Sequence, residues 1–201
     1  MMLSRRSALL GGLALAACGP AEAQVRPASA RAKVLIAAAR RQVGVTLAYD
    51  PAYTALDYPG GDVPRGKGVC TDVLIRAYRD AFGLDLQVEV HRDMAANFRA
   101  YPKRWSLKRP DRNIDHRRVP NLETFWTRQS ARLPIPARAE DWQPGDLFTT
   151  LIEGRLPHTG IVSDRLAGNG NPLVIHNIGS GAREEDMLLA WRPTGRFRWR
   201  L

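Results

Sequence analysis

The sequence predicts an α+β fold, with helices gathered in its first two thirds and an antiparallel sheet in its last third. Apolar residues recur at helical spacing in four stretches before residue 130. After residue 144 the chain breaks into short, partly β-branched or aromatic runs divided by turn residues. There is no internal repeat and no second composition regime, so residues 31–201 are expected to form one domain, long enough for a sizeable core.

The elements follow in order. "MMLSRRSALLGGLALAAC" sets Arg5 and Arg6 before an apolar run from Ala8 to Ala17, the layout of a secretory signal and too short to span a bilayer. Leu15-Ala16-Ala17-Cys18 resembles a bacterial lipoprotein box, which implies lipidation at Cys18 and a signal over residues 1–18. Gly19 stands where an Asp would suggest inner-membrane retention, so the expected location is the periplasm, anchored to the outer membrane. Cleavage after Ala21-Glu22-Ala23 is the alternative and would leave a soluble periplasmic protein. Residues 19–30, small and Pro-containing, read as a tether.

Ser29 is placed to cap a helix over Ala30–Val43 that stops at Gly44. "VTLAYDPAYTALDYPGGDVPRGKG" is rich in Pro, Gly and Asp and reads as a loop long enough to carry function. Val73, Leu74, Ala77, Tyr78, Ala81 and Phe82 mark a second helix that Gly83 closes. Leu86, Val90, Met94 and Phe98 recur every fourth residue behind Asp85, a third. "RPDRNIDHRRVPN" reads as loop, with Asn121 capping a fourth helix through "LETFWTRQ". "GDLFTTLI", "HTGIVSD", "LVIHNI" and "GRFRWR" are the strands, with turns at Glu153-Gly154 and Gly168-Asn169-Gly170.

The formal net charge is +10, and loss of Arg5 and Arg6 with the leader lowers it to +8. Outside the cytoplasm the available polyanions are envelope glycolipids, phospholipid headgroups and cell-wall polymers. No RRM, zinc-finger or helix-turn-helix signature is present, so nucleic acid is excluded as a partner.

With Cys18 assigned to the leader, Cys70 is the one remaining thiol. A free cysteine is commonly a small buried hydrophobe. Cys70, however, stands at the start of a helix, where unpaired amides and the helix dipole are expected to lower its pKa. His158 opens one predicted strand and His176 lies in the next. If these pair antiparallel, one imidazole acts as base and the other fixes its tautomer, the logic of a thiol hydrolase. Alternation along "LVIHNI" sets Val174 and His176 on one face and Leu173, Ile175 and Asn177 on the other; Asn177 and Asp164 remain alternatives for the orienting group.

His91 reads as a solvated or locally bonded residue. His116 sits among Asp115, Arg117 and Arg118, either a loop tied down by Asp and Arg hydrogen bonds or a place where Arg117 or Arg118 reads a substrate carboxylate. Tyr49, Asp72, His116, Arg117, Arg118 and Asn177 are the candidate substrate-binding residues. No H-x-E-x-H or C-x-x-C spacing occurs, and no metal or cofactor is expected.

Cys70 before a helix, "PGDL" at Pro144–Leu147, "HTGIV" and "VIHN" together resemble the NlpC-type cysteine peptidases over residues 40–180. That resemblance implies a papain-like fold, cleavage of amide bonds in bacterial cell-wall peptides, Cys70 as nucleophile, His158 as base and His176 as third member. The run Val69-Cys70-Thr71-Asp72 departs from that family's Asp-Cys-Ser, and "RLAGNGNP" is an extra loop between the histidines. "YPGGDVP", "GVCTDVLIRAYR", "NIDHRRVPNL", "HTGIV" and "IHNIG" resemble a bacterial family catalogued as domain of unknown function 1287, over nearly the whole chain after the leader.

The expected function is therefore an exported thiol hydrolase acting on an amide in peptidoglycan stem peptides or cross-links. A papain-like acyltransferase or lipid-acting thiol enzyme is the first alternative, since related folds run acyl transfer through the same Cys and His. A non-catalytic envelope-binding lipoprotein is the second.

Overall fold

The computed structural model describes residues 27–201; the leader, Cys18 and most of the tether lie outside the described residues. Helix α1, Ala30–Arg40, starts where the Ser29 hydroxyl accepts a hydrogen bond from the Ala32 amide at 3.0 Å. It stops three residues before Val43, because Gln42 and Val43 donate three residues back, to Ala39 and Arg40, tightening the last turn ahead of Gly44.

The long loop that follows contains two short strands, β1 (Ala48–Tyr49) and β2 (Lys67–Gly68), paired in parallel. Arg76, fully buried, ties the stretch before β2 in place. It binds Asp62 at 2.9 Å, the Thr46 hydroxyl at 3.1 Å, and the carbonyls of Val63 and Lys67, each at 3.0 Å. Helix α2, Cys70–Phe82, comes next and ends at Gly83, whose φ of 65° is the left-handed cap that glycine adopts without strain. Its first nine residues are all buried, because α1, α3 and the sheet enclose it.

Helix α3, Leu86–Ala96, is capped by Asp85, whose carboxylate accepts from the Gln87 amide at 3.1 Å. Leu86, Val90 and Met94 face inward, but Phe98 falls in a separate 3-10 turn, since Asn97 has left helical dihedrals. Helix α4, Val119–Arg128, corrects the sequence reading: Asn121 lies inside its first turn and does not cap it. Pro120, pre-set for a first helical turn, starts the helix early, and the Asn121 amide turns back to the Asp115 carbonyl at 3.1 Å.

Six strands complete the fold: β3 (Arg132–Leu133), β4 (Leu147–Ile152), β5 (Leu156–Leu166), β6 (Pro172–Asn177), β7 (Ala182–Glu185) and β8 (Pro193–Phe197). They form one antiparallel sheet in the order β3-β8-β4-β5-β6-β7. The architecture is thus α+β with four helices and an antiparallel sheet. Strands β3 and β7 are absent from the sequence reading, and β8 lies earlier than "GRFRWR" suggests.

Both sheet faces are covered. Leu147, Ile161, Ile175 and Phe197 pack beneath α1 and α2, whereas Phe148, Val162 and Val174 meet Trp142 and Leu188 on the opposite face. Each fully buried aliphatic side chain contributes about 1.5–3 kcal/mol. Asp146 of the "PGDL" run is fully buried and accepts from Gln143 N at 2.9 Å, Arg196 Nε at 2.7 Å and Arg198 Nε at 2.9 Å, locking the start of β4 to the end of the chain.

Candidate functional site

Strand alternation dictates which groups of β5 and β6 face the start of α2 and which face the opposite side of the sheet. Val162 exchanges hydrogen bonds with the chain beside β4, donating to Asp146 and accepting from Gly145, so the alternate residues of β5, Thr159 among them, aim their amides at β6. The β5–β6 register pairs Ile161 with Ile175, and no pair follows on the His158 side. Here the sheet parts, and the Thr159 amide favours a thiolate at Cys70. The amides of Thr71 and of Cys70 itself, at the start of α2, also favour the charged sulfur.

Val69 serves as the cap residue of α2, and Asp72 completes the turn by accepting from the Val69 amide at 2.7 Å. Cys70 is 4% exposed, and burial pushes its thiol up to about 12, with the Thr159 amide pulling down and the Asp72 charge pushing up. The expectation of a lowered pKa is therefore corrected: desolvation outweighs the helix-start amides.

His158 and His176 lie on the sheet face that carries Phe148, Val162 and Val174. His158 Nε2 is 2.7 Å from His176 Nδ1, and His176 Nε2 is 2.9 Å from Glu185 Oε1. Gly160 stands between them on this face. A Cβ there would lie 2.7 Å from the Phe148 ring and 2.9 Å from His176 Cβ, so glycine is what lets the His176 side chain approach. Burial pushes His158 down to about 3, helped by the neighbouring His176; it lowers His176 as well, against the pull of Glu185. Both imidazoles are neutral at pH 7.

The other candidates are placed as follows. Tyr49 borders the thiol: burial raises its hydroxyl to about 12, and the charges of Cys70 and Asp72 add to the shift. Asp72 and Arg117 form a buried two-pronged ion pair, Nε to Oδ1 and Nη2 to Oδ2 each at 2.9 Å. The Arg117 carbonyl accepts from the Thr71 hydroxyl at 3.0 Å, and its guanidinium reaches the carbonyls of Asp50 and Ala52. Arg117 thus holds the Tyr49 side of the loop against the start of α2. Arg118 pairs with Asp115 at 3.1 Å and covers the Trp105 ring at 4.0 Å. His116 is buried beside them, and desolvation followed by the Arg117 charge lowers it to about 3.

Asn177 points away from His176, donating to the carbonyls of Gly68 at 2.9 Å and Ala48 at 3.3 Å, so it ties β6 to the two short strands. Asp164 is paired with Arg40, away from the histidines. His91 stacks edge-on against Tyr58 with ring centroids 5.2 Å apart. Glu185 is the site residue that sequence reasoning missed. The pattern Ala-Arg-Glu-Glu of β7 has no β-branched or aromatic residue to mark it as strand.

The family model described as Domain of unknown function (DUF1287) matches residues 36–199. The chain is also 56% identical over 161 residues, 80% of its own length and 78% of the relative's, to the uncharacterized protein YijF of Escherichia coli (strain K12).

Proposed function

The chain belongs to the domain-of-unknown-function 1287 family, and from that premise we propose that it is an exported thiol hydrolase of papain-like, NlpC-type fold. Its substrate is an amide in peptidoglycan stem peptides or cross-links, and Cys70, His158 and His176 act on it. The observation that carries the reading is the buried hydrogen-bonded chain His158–His176–Glu185, on the strand whose Thr159 amide favours a thiolate at Cys70.

The chemistry follows from neutral partners. As the sulfur attacks the carbonyl carbon, its proton passes to His158, and negative charge moves to the carbonyl oxygen. The C–N bond then breaks, with His158 returning that proton to the leaving amine. Water, deprotonated by the same imidazole, cleaves the thioester and restores the thiol. Helix-start amides favour the sulfur's negative charge, and the neighbouring His176 orients the base. The leader supports export and a lipid anchor at Cys18, which intact-mass analysis of the envelope protein tests; an unacylated N-terminus at Gln24 would refute the anchor.

The direct test is mass spectrometry of muropeptides after incubation with wild type and Cys70→Ala. New fragments with wild type alone are expected; an unchanged pattern with both would refute the hydrolase. A second reading, a binding lipoprotein in which Cys70 is core, is favoured by the thiol's burial. Labelling by a thiol-directed probe separates the two: it tracks turnover in an enzyme and is as slow as for any core thiol otherwise. Transfer of the acyl group to an added amine or alcohol, in place of water, would mark an acyltransferase.

A further inference from the structure

We propose that Glu185 is a positioning residue that decides which nitrogen of His158 is basic. A neutral imidazole carries one N–H and one lone pair. The Glu185 carboxylate only accepts, so the His176 proton sits on Nε2, the atom 2.9 Å away, and His176 Nδ1 is left as a lone pair. The 2.7 Å contact then requires His158 Nε2 to donate. His158 Nδ1 remains as the one lone pair on that ring, and under the hydrolase reading, on which this last step rests, it takes the thiol proton.

Without an acceptor at Glu185 the two histidines can run their hydrogen bond in the other direction. His176 Nδ1 would then donate, His158 would carry its proton on Nδ1, and the base would be lost. The strand register accounts for the reach of Glu185, which pairs with Val174 on the face shared with His176, one step along the edge of the sheet. Its neighbour Glu184 faces the other way, where it binds Arg40 Nε at 2.9 Å. With 34% of its side chain exposed, Glu185 keeps its charge solvated at one end and delivers it to a buried ring at the other.

The test is 15N–1H correlation of the histidine rings in the chain with its leader removed, at pH 7, for wild type, Glu185→Leu and Glu185→Gln. Wild type is expected to show Nε2-protonated tautomers at both His158 and His176. Glu185→Leu is expected to give a substantial Nδ1-protonated population at His158 and to lower kcat about tenfold or more at unchanged KM. Glu185→Gln, whose amide oxygen still accepts, should restore the wild-type tautomers. An Nδ1-protonated His158 in wild type, or identical ring spectra in wild type and Glu185→Leu, would overturn the assignment. If the tautomers shift as stated while wild type cleaves no muropeptide, the Glu185 assignment stands and the hydrolase reading falls.

Discussion

Acid should unfold this protein through its buried histidines before its carboxylates titrate. His116 and His158 are held near about 3 in the fold and return to about 6.5 in the unfolded chain. Between those values the unfolded state binds more protons, so the stability they contribute is complete above pH 6.5 and is lost as pH falls toward 3. At pH 5 each unfolded imidazole is charged and each folded one neutral, which costs about 2 kcal/mol per histidine and about 4 kcal/mol for the pair. His176 adds in the same direction, and Asp115, raised by burial, opposes it by taking up a proton in the fold. The carboxyls held low by arginine, Asp80 and Glu184 among them, act only below about pH 4.5. Urea unfolding from pH 7.5 to 5 reads the effect as a falling midpoint. His116→Gln should reduce the slope by about 1.4 kcal/mol per pH unit, one proton's share, whatever it does to stability at pH 7.5. Equal midpoints at both ends, or a slope untouched by His116→Gln, would refute the reasoning.

Asp72→Ala leaves the Arg117 guanidinium buried without its carboxylate and should cost about 3–5 kcal/mol in denaturant unfolding; in an Arg117→Met background the same change should cost far less. Gly160→Ala places a methyl against Phe148 and His176, and is expected to lower stability by about 1–3 kcal/mol and to displace the His176 ring, seen as a changed ring spectrum together with a lower Tm. Cys70→Ser should abolish muropeptide turnover while circular dichroism stays native; retained hydrolysis would end the thiol mechanism.

Much of the fold was legible where one local group decides the outcome. Ser29 and Asp85 each accept an amide at the start of a helix, and Gly83 closes one, so those boundaries could be read from residue type alone. Asn121 was misread because a better start, Pro120, stood one residue earlier. For the site, adjacent strands pointed to His158 and His176 as neighbours, and alternation put His176 and Asn177 on different faces, as the structure has them. What could not be read is nonlocal. Whether Arg117 ties its loop down or meets a ligand stayed open in the sequence, because Asp72, which takes both prongs of its guanidinium, is distant along the chain. The thiol's raised pKa depends on how deeply α2 is enclosed, and counting helix-start amides says nothing of that.

Two stretches of the Pro-, Gly- and Asp-rich loop before Cys70 are each gripped by a buried arginine, Arg76 on residues 62–67 and Arg117 on residues 50–52. Opening either one strips a desolvated charge of its partners, so their amides should exchange with deuterium at rates close to those of α2 and far more slowly than the exposed loop around Lys108. A rigid rim has a kinetic corollary. Under the proposed function, a substrate reaching the thiol would meet walls already in place and pay for binding with its own loss of freedom, not with the ordering of the protein.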